Sequence, residues 1–437
     1  MSAARRRADA KYALALLIPA LVGCHSAVPS SDLDLHRGRN ALAMARYDWA
    51  RHYFAADLAN HPDRLESLRG LGLGWISGHQ GSLTRAIEAF EVYLARVPDD
   101  VEIRLRLAEG YLRTADHKQA LDTLARLPES LDTHLLFARI YSPEDPKLAL
   151  VHVGKAIELD PDHAAARHLA AQLYSRLGDS ERALAEAERA AELDPLRRDV
   201  FYLISQLRRR MGRLDEVQAA VDRFQLLDQL PKPGAMTMSN RELDILRQVE
   251  EQLLVSSPIT FERRMVRLLL QTGAVREASE RLEKVVSDPA CDADCLLLLG
   301  QAAHTRNLTS IARDLYGRVL DQHPNHTKAL AHQARLAFEF GDLEATQELL
   351  TRGFEVDAMY APFHYTAGLL ALAEEDPERA AQELSLAVDL VPWLARYRLT
   401  LADLLLTDGD RAAFDRLLAA APAGDSSIDA YRRKHGL

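Results

Sequence analysis

Aromatic residues, alternating strand patterns and basic clusters are all scarce in this sequence. Phe, Trp and Tyr make up 6% of the 437 residues. Few runs alternate apolar and polar residues with the period of two that is typical of half-buried β-strands. There is no basic stripe with interleaved aromatics, and the formal net charge is −10, which argues against nucleic-acid binding. Ala, Leu, Arg and Glu dominate instead, and these residues favour an all-α protein.

Recognisable catalytic motifs are also absent. The sequence has no phosphate-binding loop, no dinucleotide fingerprint, no G-x-S-x-G and no H-E-x-x-H. His323 and His326 are the nearest histidine pair with ligand-like spacing, but no further ligands accompany them, so no metal site is predicted. We therefore expect neither an enzyme, nor a cofactor, nor a small-molecule substrate.

The first 24 residues have the pattern of an export signal. Arg5–Arg7 and Lys11 precede an apolar stretch, Tyr12 to Gly23, that is too short to span a bilayer. The stretch ends in Leu-Val-Gly before Cys24, which resembles the lipobox of bacterial lipoproteins. That resemblance implies cleavage before Cys24 and lipidation of its thiol. A secretory signal with a chance cysteine and a twin-arginine signal are the alternatives.

The residue that follows Cys24 bears on the destination. It is His25 rather than Asp, so by the same resemblance the signal for retention in the inner membrane is absent. We expect a signal peptide over residues 1–23, a tether over 24–30 and a lipid anchor on the periplasmic face of the outer membrane.

The two other cysteines are Cys291 and Cys295. An even pair fits an oxidising compartment. Four residues of helix separate their Cα atoms by about 6 Å, a distance that a disulfide can bridge. We favour a disulfide that fixes the start of a helix, with two free thiols as the alternative.

A repeat with a period of 34 residues runs through the chain. Starts near residues 259, 293, 327, 361 and 395 are evenly spaced, as are those near 67 and 101 and those near 130, 164 and 198. Position 8 of the repeat is small, which allows close helix crossing: Gly38, Gly74, Ala108, Ala171, Ser205, Gly300, Ala334, Gly368 and Ala402. Position 24 is apolar: Phe54, Phe90, Leu124, Ala187, Val221, Leu282, Tyr316, Leu350, Leu384 and Leu418.

This spacing resembles the tetratricopeptide repeat (TPR), a helix–turn–helix unit. The resemblance covers about residues 31–421 and implies an all-α solenoid, a right-handed superhelix of about eleven repeats. Leu230-Pro231-Lys232-Pro233-Gly234 interrupts the period. We therefore expect an N-terminal array over 31–230, a linker over 231–241 and a C-terminal array over 242–437. A lone helix from Ser239 to Val255 and a capping helix from Ile428 to His435 are also expected.

The resemblance also implies where ligands bind. In TPR proteins the first helices of successive repeats line a concave groove, at about positions 2, 5, 9 and 12. In this sequence those positions include His168, Gln172, Tyr202, Gln206, Arg209, Gln301, Arg335, Tyr365 and Asp403. The alternative for each of these residues is an ordinary solvated helix face.

Three functional hypotheses follow. The first is a lipid-anchored scaffold that binds protein partners during assembly of an envelope complex, as in pilus or secretin, outer-membrane or polysaccharide-export machinery. The second is glycan or peptidoglycan binding, which needs exposed aromatics such as Tyr202 and Tyr365. The third is regulation of an envelope enzyme by contact. The repeat itself does not choose a pathway, because it serves many.

Overall fold

Helices alone make up the regular structure of the described chain. A computed structural model describes residues 32–77, 82–230, 240–253, 258–289, 291–421 and 425–435. Within these ranges there are 24 α-helices and no strand. The predicted all-α class is therefore confirmed.

The helices form eleven pairs, as the repeat count predicted. The first six pairs are α1 (Leu33–Ala43) with α2 (Tyr47–Asn60), α3 (Leu65–Ser77) with α4 (Leu83–Leu94), α5 (Val101–Arg113) with α6 (His117–Leu124), α7 (Leu131–Tyr141) with α8 (Pro146–Leu159), α9 (Ala164–Arg176) with α10 (Ser180–Leu193), and α11 (Arg198–Arg210) with α12 (Leu214–Asp228). The lone helix is α13 (Asn240–Glu251). The last five pairs are α14 (Ile259–Thr272) with α15 (Val275–Val286), α16 (Ala293–His304) with α17 (Thr309–Gln322), α18 (Thr327–Glu339) with α19 (Leu343–Val356), α20 (Ala361–Ala373) with α21 (Pro377–Leu390), and α22 (Ala395–Thr407) with α23 (Arg411–Ala419). The capping helix is α24 (Ser426–Lys434).

Glycine–aspartate pairs form the turns inside three repeats. Gly178, Gly341 and Gly409 have positive φ angles of 83°, 74° and 78°, a conformation that glycine adopts without a steric penalty. The aspartate that follows each of them caps the second helix. Asp179, for example, accepts a hydrogen bond from the backbone N–H of Arg182 at 3.1 Å. The sequence predicted these turns correctly.

Two of the histidines at the ends of repeats have a comparable capping role. The Nδ1 atoms of His163 and His326 accept hydrogen bonds from the backbone N–H groups of Ala166 and Ala329, each at 3.2 Å. His326 therefore stabilises the start of α18, which agrees with the prediction that it is not a metal ligand.

Contact between positions 8 and 24 sets the distance between the two helices of a repeat. A Cβ atom added to Gly300 would lie 2.5 Å from the ring of Tyr316, and one added to Gly38 would lie 2.7 Å from the ring of Phe54. Phe54 also packs against Gly70 of the next repeat, where an added Cβ would lie 2.4 Å away. Large rings at position 24 therefore fit only because glycine stands opposite them.

One register in the sequence analysis was wrong. We placed Gly74 at position 8 of the repeat that starts near residue 67, but its nearest neighbour is Arg51. Gly72 meets Phe90 instead, with 2.3 Å from the added Cβ to the ring. Helix α3 begins at Leu65, so the first helix of this repeat starts two residues earlier than the period indicates.

The chain divides into two compact units. Unit 1 comprises Met1–Pro98 and Met359–Leu437, and unit 2 comprises Asp99–Ala358. Unit 1 thus combines helices from both ends of the sequence. The side chain of Asn40 donates to the carbonyl of Met359 at 2.8 Å and accepts from the N–H of Ala361 at 2.9 Å. Trp49 stacks on Trp393 with 5.5 Å between ring centroids.

The predicted linker falls largely outside the described residues, because 231–239 are not described. The helices around it share one hydrophobic core within unit 2, with Leu227 of α12, Leu246 of α13 and Phe261 of α14 in the same cluster. The division into arrays over 31–230 and 242–437 stays a prediction, and the two compact units do not follow that boundary.

We predict that alanine at Gly300 destabilises the protein, whereas alanine at Gly317 stabilises it. The added methyl group at Gly300 would press on Tyr316, and such overpacking costs about 1–3 kcal/mol. Gly317 lies within α17 with no atom within 4 Å of an added Cβ, so Gly317→Ala should gain roughly 0.5–1 kcal/mol in helix propensity. The free energy of unfolding in urea measures both effects, and equal changes would contradict the packing argument.

Candidate binding surface on the first helices

Neighbouring first helices lie side by side within unit 2. Helix α5 contacts α7, α9 contacts α11, and α14 contacts α16. Each groove residue predicted from the sequence lies on a first helix. Gln172, Tyr202, Gln206, Arg209 and Asp403 are exposed. Gln301 and Arg335 are half-buried, while His168 and Tyr365 are buried.

Polar contacts surround His168 between α9 and α11. Its Nε2 atom lies 3.2 Å from the Gln172 amide nitrogen. Its Nδ1 atom lies 3.3 Å from an Arg197 guanidinium nitrogen and 3.4 Å from an Asp199 carboxylate oxygen. Burial lowers the pKa of His168; Asp199 opposes this effect and Arg197 reinforces it. His168 therefore holds two repeats together and is not available as a ligand contact.

An exposed face remains beside His168. Tyr202 is 52% exposed and packs against Phe224 with 5.6 Å between ring centroids. Gln206 and Arg209 follow it along α11 and are also exposed. We call Gln172, Tyr202, Gln206 and Arg209 the exposed face of α9 and α11. It presents amide, phenol and guanidinium groups together to solvent.

The run of three arginines at the end of α11 divides into different environments. Arg208 pairs with Glu188 at 2.9 Å and with Glu216 at 3.2 Å. Arg210 donates to the carbonyl of Ser175 at 3.2 Å. Among the residues that the structure describes, no side-chain partner is recorded for Arg209. One guanidinium of the run is therefore free to bind a ligand.

A second polar cluster links α16 to α18. It brings together Gln301 and Arg335, which the sequence predicted, with His304, His332 and Glu339, which it did not. The Gln301 amide nitrogen lies 3.0 Å from Nε2 of His332. Glu339 accepts a hydrogen bond from Arg335 at 2.7 Å and lies 3.0 Å from Nε2 of His304. Burial opposes ionisation of Glu339, but these bonds together hold its pKa below the usual value.

The two predicted residues in unit 1 have structural contacts. Tyr365 is buried and stacks on Tyr397 with 4.1 Å between ring centroids, and its hydroxyl lies 3.2 Å from that of Thr400. Asp403 accepts a hydrogen bond from the Tyr431 hydroxyl at 2.6 Å. Tyr431 belongs to the capping helix α24, so Asp403 helps to fix that helix on α22.

A histidine pair between α7 and α8 was missed by the sequence analysis. The Nδ1 atoms of His134 and His152 are 3.2 Å apart, and His152 stacks on Phe137 with 4.7 Å between centroids. His134 occupies position 5 of its repeat, as His168 does, and that recurrence was the available signal. Its partner at position 23 could not be inferred without the packing of the two helices.

The cysteines and metal ligands complete the account of the candidate sites. Cys291 and Cys295 form a disulfide at the start of α16, with 5.2 Å between their Cα atoms. Cys24 lies outside the described residues. Within the described part of the chain, no group of three or more His, Cys, Asp or Glu side chains is arranged to hold a metal ion.

Comparison with known families identifies the repeat. A family model described as the tetratricopeptide repeat matches residues 79–140 and 141–207. This chain contains tetratricopeptide repeats. The helix pairs described above extend the same TPR architecture over eleven repeats, so the predicted all-α TPR solenoid is confirmed. TPR folds typically serve as non-catalytic scaffolds for protein interaction.

Solved structures with TPR architecture show limited similarity. PilW, described as a widely conserved type IV pilus biogenesis factor, is 15% identical, with 55% of this chain and 98% of that chain covered and a TM-score of 0.31. YrrB, described as a TPR protein with an unusual peptide-binding site, is 18% identical (55% and 92% covered, TM-score 0.25). MamA from Desulfovibrio magneticus RS-1 is 19% identical (40% and 96% covered, TM-score 0.32). No curated protein sequence matches the chain.

Membrane-spanning helices were also sought in the described ranges. None of the helices there combines the length and the apolar character needed to cross a bilayer.

We predict that the His134–His152 pair makes stability depend on pH. Burial lowers the pKa of both histidines; Lys155 lowers them further, and Glu129 opposes it. The pKa of each is thus below the unfolded value near 6.5. The unfolded chain therefore takes up protons first, and stability should fall as the pH drops below about 6.5.

Urea unfolding at pH 7.5 and pH 5.5 measures this dependence. His152→Gln keeps a hydrogen-bonding group but removes one titrating ring and its repulsion on His134. The variant should therefore lose less stability than the wild type between the two pH values. Identical losses in both proteins would show that the pair does not contribute.

Proposed function

We propose that this protein is a lipid-anchored scaffold of the bacterial cell envelope. Its TPR helices bind a partner protein, and lipid on Cys24 holds the array at the periplasmic face of the outer membrane. There it assists assembly of an envelope complex such as pilus or secretin, outer-membrane or polysaccharide-export machinery.

The exposed face of α9 and α11 is the observation that carries this proposal. Four polar side chains from two consecutive repeats are open to solvent there, while the helices beneath them are fixed by buried contacts such as those of His168. Tyr and Arg are enriched in protein interfaces and among the residues that dominate binding energy. Tyr202 and Arg209 supply both types, which favours a protein partner.

The tether limits how far the array could lie from the membrane. Eight residues separate Cys24 from Asp32, where the described structure begins. Fully extended, they span at most about 29 Å. A lipid on Cys24 would thus keep α1, together with the helices of unit 1 that pack on it, close to the membrane surface.

Glycan binding is less well supported. Sugar recognition needs exposed aromatic rings, and the two tyrosines considered from the sequence differ in exposure. Tyr202 is 52% exposed, whereas Tyr365 is 5% exposed and stacked on Tyr397. Contact regulation of an envelope enzyme remains compatible with the scaffold proposal, because it uses the same kind of surface.

We predict that Tyr202→Ala combined with Arg209→Ala abolishes partner binding without loss of stability. Both side chains are exposed, so their removal leaves the core intact. Crosslinking in membranes followed by affinity capture should lose a reproducible partner. The matched control combines Phe340→Ala with Arg276→Ala, an exposed aromatic and an exposed arginine away from this face. If the control loses the partner as well, or if neither does, the surface is wrongly assigned.

We predict that the mature chain begins at an acylated Cys24. Mass spectrometry of the purified protein should show cleavage before Cys24 and the added mass of acyl chains. Cys24→Ser should move the protein from the membrane fraction to the soluble fraction, because the anchor would be absent. A retained N-terminus, or an unmodified Cys24, would remove the envelope placement but would not affect the fold.

A further inference from the structure

A cavity lies where the lone helix α13 interrupts the repeats. Its volume is about 630 Å³, and it is lined by α10, α11, α12 and the residues that follow α13. Most of its lining comes from second helices, so it is separate from the exposed face of α9 and α11. The volume falls within the range of about 300–1,000 Å³ that is typical of small-ligand sites.

Arg223 provides the charge in this cavity. Its side chain is buried, with 6% exposure. One guanidinium nitrogen donates to the carbonyl of Val249 at 3.0 Å and to the side-chain oxygen of Gln252 at 2.8 Å. Both acceptors are uncharged. Among the described residues, no carboxylate pairs with Arg223.

This arrangement leaves a positive charge in a largely apolar environment. Burial lowers the pKa of Arg223 to about 10, so the group is still protonated at neutral pH. A buried charge without a counter-charge is costly, and an anion that enters the cavity would relieve that cost.

The surroundings of Arg223 define the rest of the ligand. Its guanidinium carbon lies 5.5 Å from the centroid of the Phe201 ring. Ile204 and Ala220 are buried beside the ring, and Ala219 lies at the exposed edge of the cavity. These side chains offer apolar contact to the body of a ligand whose charged end reaches Arg223.

Carboxylates at the mouth of the cavity already have partners of their own. Glu188 pairs with Arg208 at 2.9 Å, Glu192 with Arg189 at 2.9 Å, and Asp222 accepts from Gln218 at 2.7 Å. They do not neutralise Arg223. They also favour a ligand with one negative charge over a polyanion, because additional negative groups at the mouth would meet these three acids.

We propose that this cavity binds a monocarboxylate with an apolar body, its carboxylate against Arg223 and its apolar part against Phe201 and Ile204. A fatty acid and the carboxyl end of an apolar peptide share this chemistry. The inference does not depend on the exposed face of α9 and α11, so the two proposals can fail separately.

Calorimetric titration of the full chain distinguishes the charge from the apolar body. Decanoate is compared with decanol, and N-acetyl-Leu-Leu with its amide. The carboxylate of at least one pair should bind about tenfold or more tightly than its neutral analogue, because hydrogen bonds to charged groups are the stronger ones. The pair that shows the preference identifies the source. Equal binding within both pairs, or no binding of any probe, would overturn the proposal.

Two variants test the location. Arg223→Gln should remove the preference for the carboxylate. Ala219→Trp should fill the cavity and weaken binding about tenfold or more, without touching the bonds of Arg223 to Val249 and Gln252. Ala55→Trp, at an exposed alanine of α2, is the matched control and should bind as the wild type does. If Arg223→Gln does not fold, Ala219→Trp decides the question, and unchanged binding in that variant would refute the site.

Discussion

The contact between a small residue on the first helix and a large one on the second sets the geometry of each repeat. Where position 24 is aromatic, as at Phe54 or Tyr316, position 8 is glycine, and an added methyl group would overlap the ring. Where position 8 is alanine, as at Ala171 and Ala334, position 24 is Ala187 or Leu350. The helix spacing therefore persists while the side chains exchange volume. That constancy allows successive first helices to lie side by side and to present one surface.

Much of the fold could be predicted because its determinants are local and periodic. The 34-residue spacing, the Gly-Asp turns and the small residues at position 8 each act within one repeat, so they can be recognised without the structure. The register near residue 67 failed for the opposite reason. Helix α3 starts at Leu65 rather than at the periodic position, and only the contact of Gly72 with Phe90 shows the shift.

The candidate site was harder to predict because burial depends on the neighbouring repeat. His168 and Tyr365 occupy groove positions by number, yet Arg197 covers one and Tyr397 covers the other. The association of the two chain ends was equally hidden. Asn40 bonds to Met359 and Ala361, more than 300 residues away, and no periodic signal in the sequence links such distant segments. The buried charge of Arg223 likewise emerged only from the packing of α12 against α13.

Binding on the exposed face of α9 and α11 is the central claim, and in-cell photo-crosslinking tests it most directly. A photo-crosslinking amino acid would replace Tyr202 in one strain and Arg276, on the second helix α15, in another. The account predicts a discrete adduct with a protein of the envelope from position 202 and none of that product from position 276. The same adducts from both positions, or none from position 202, would contradict it.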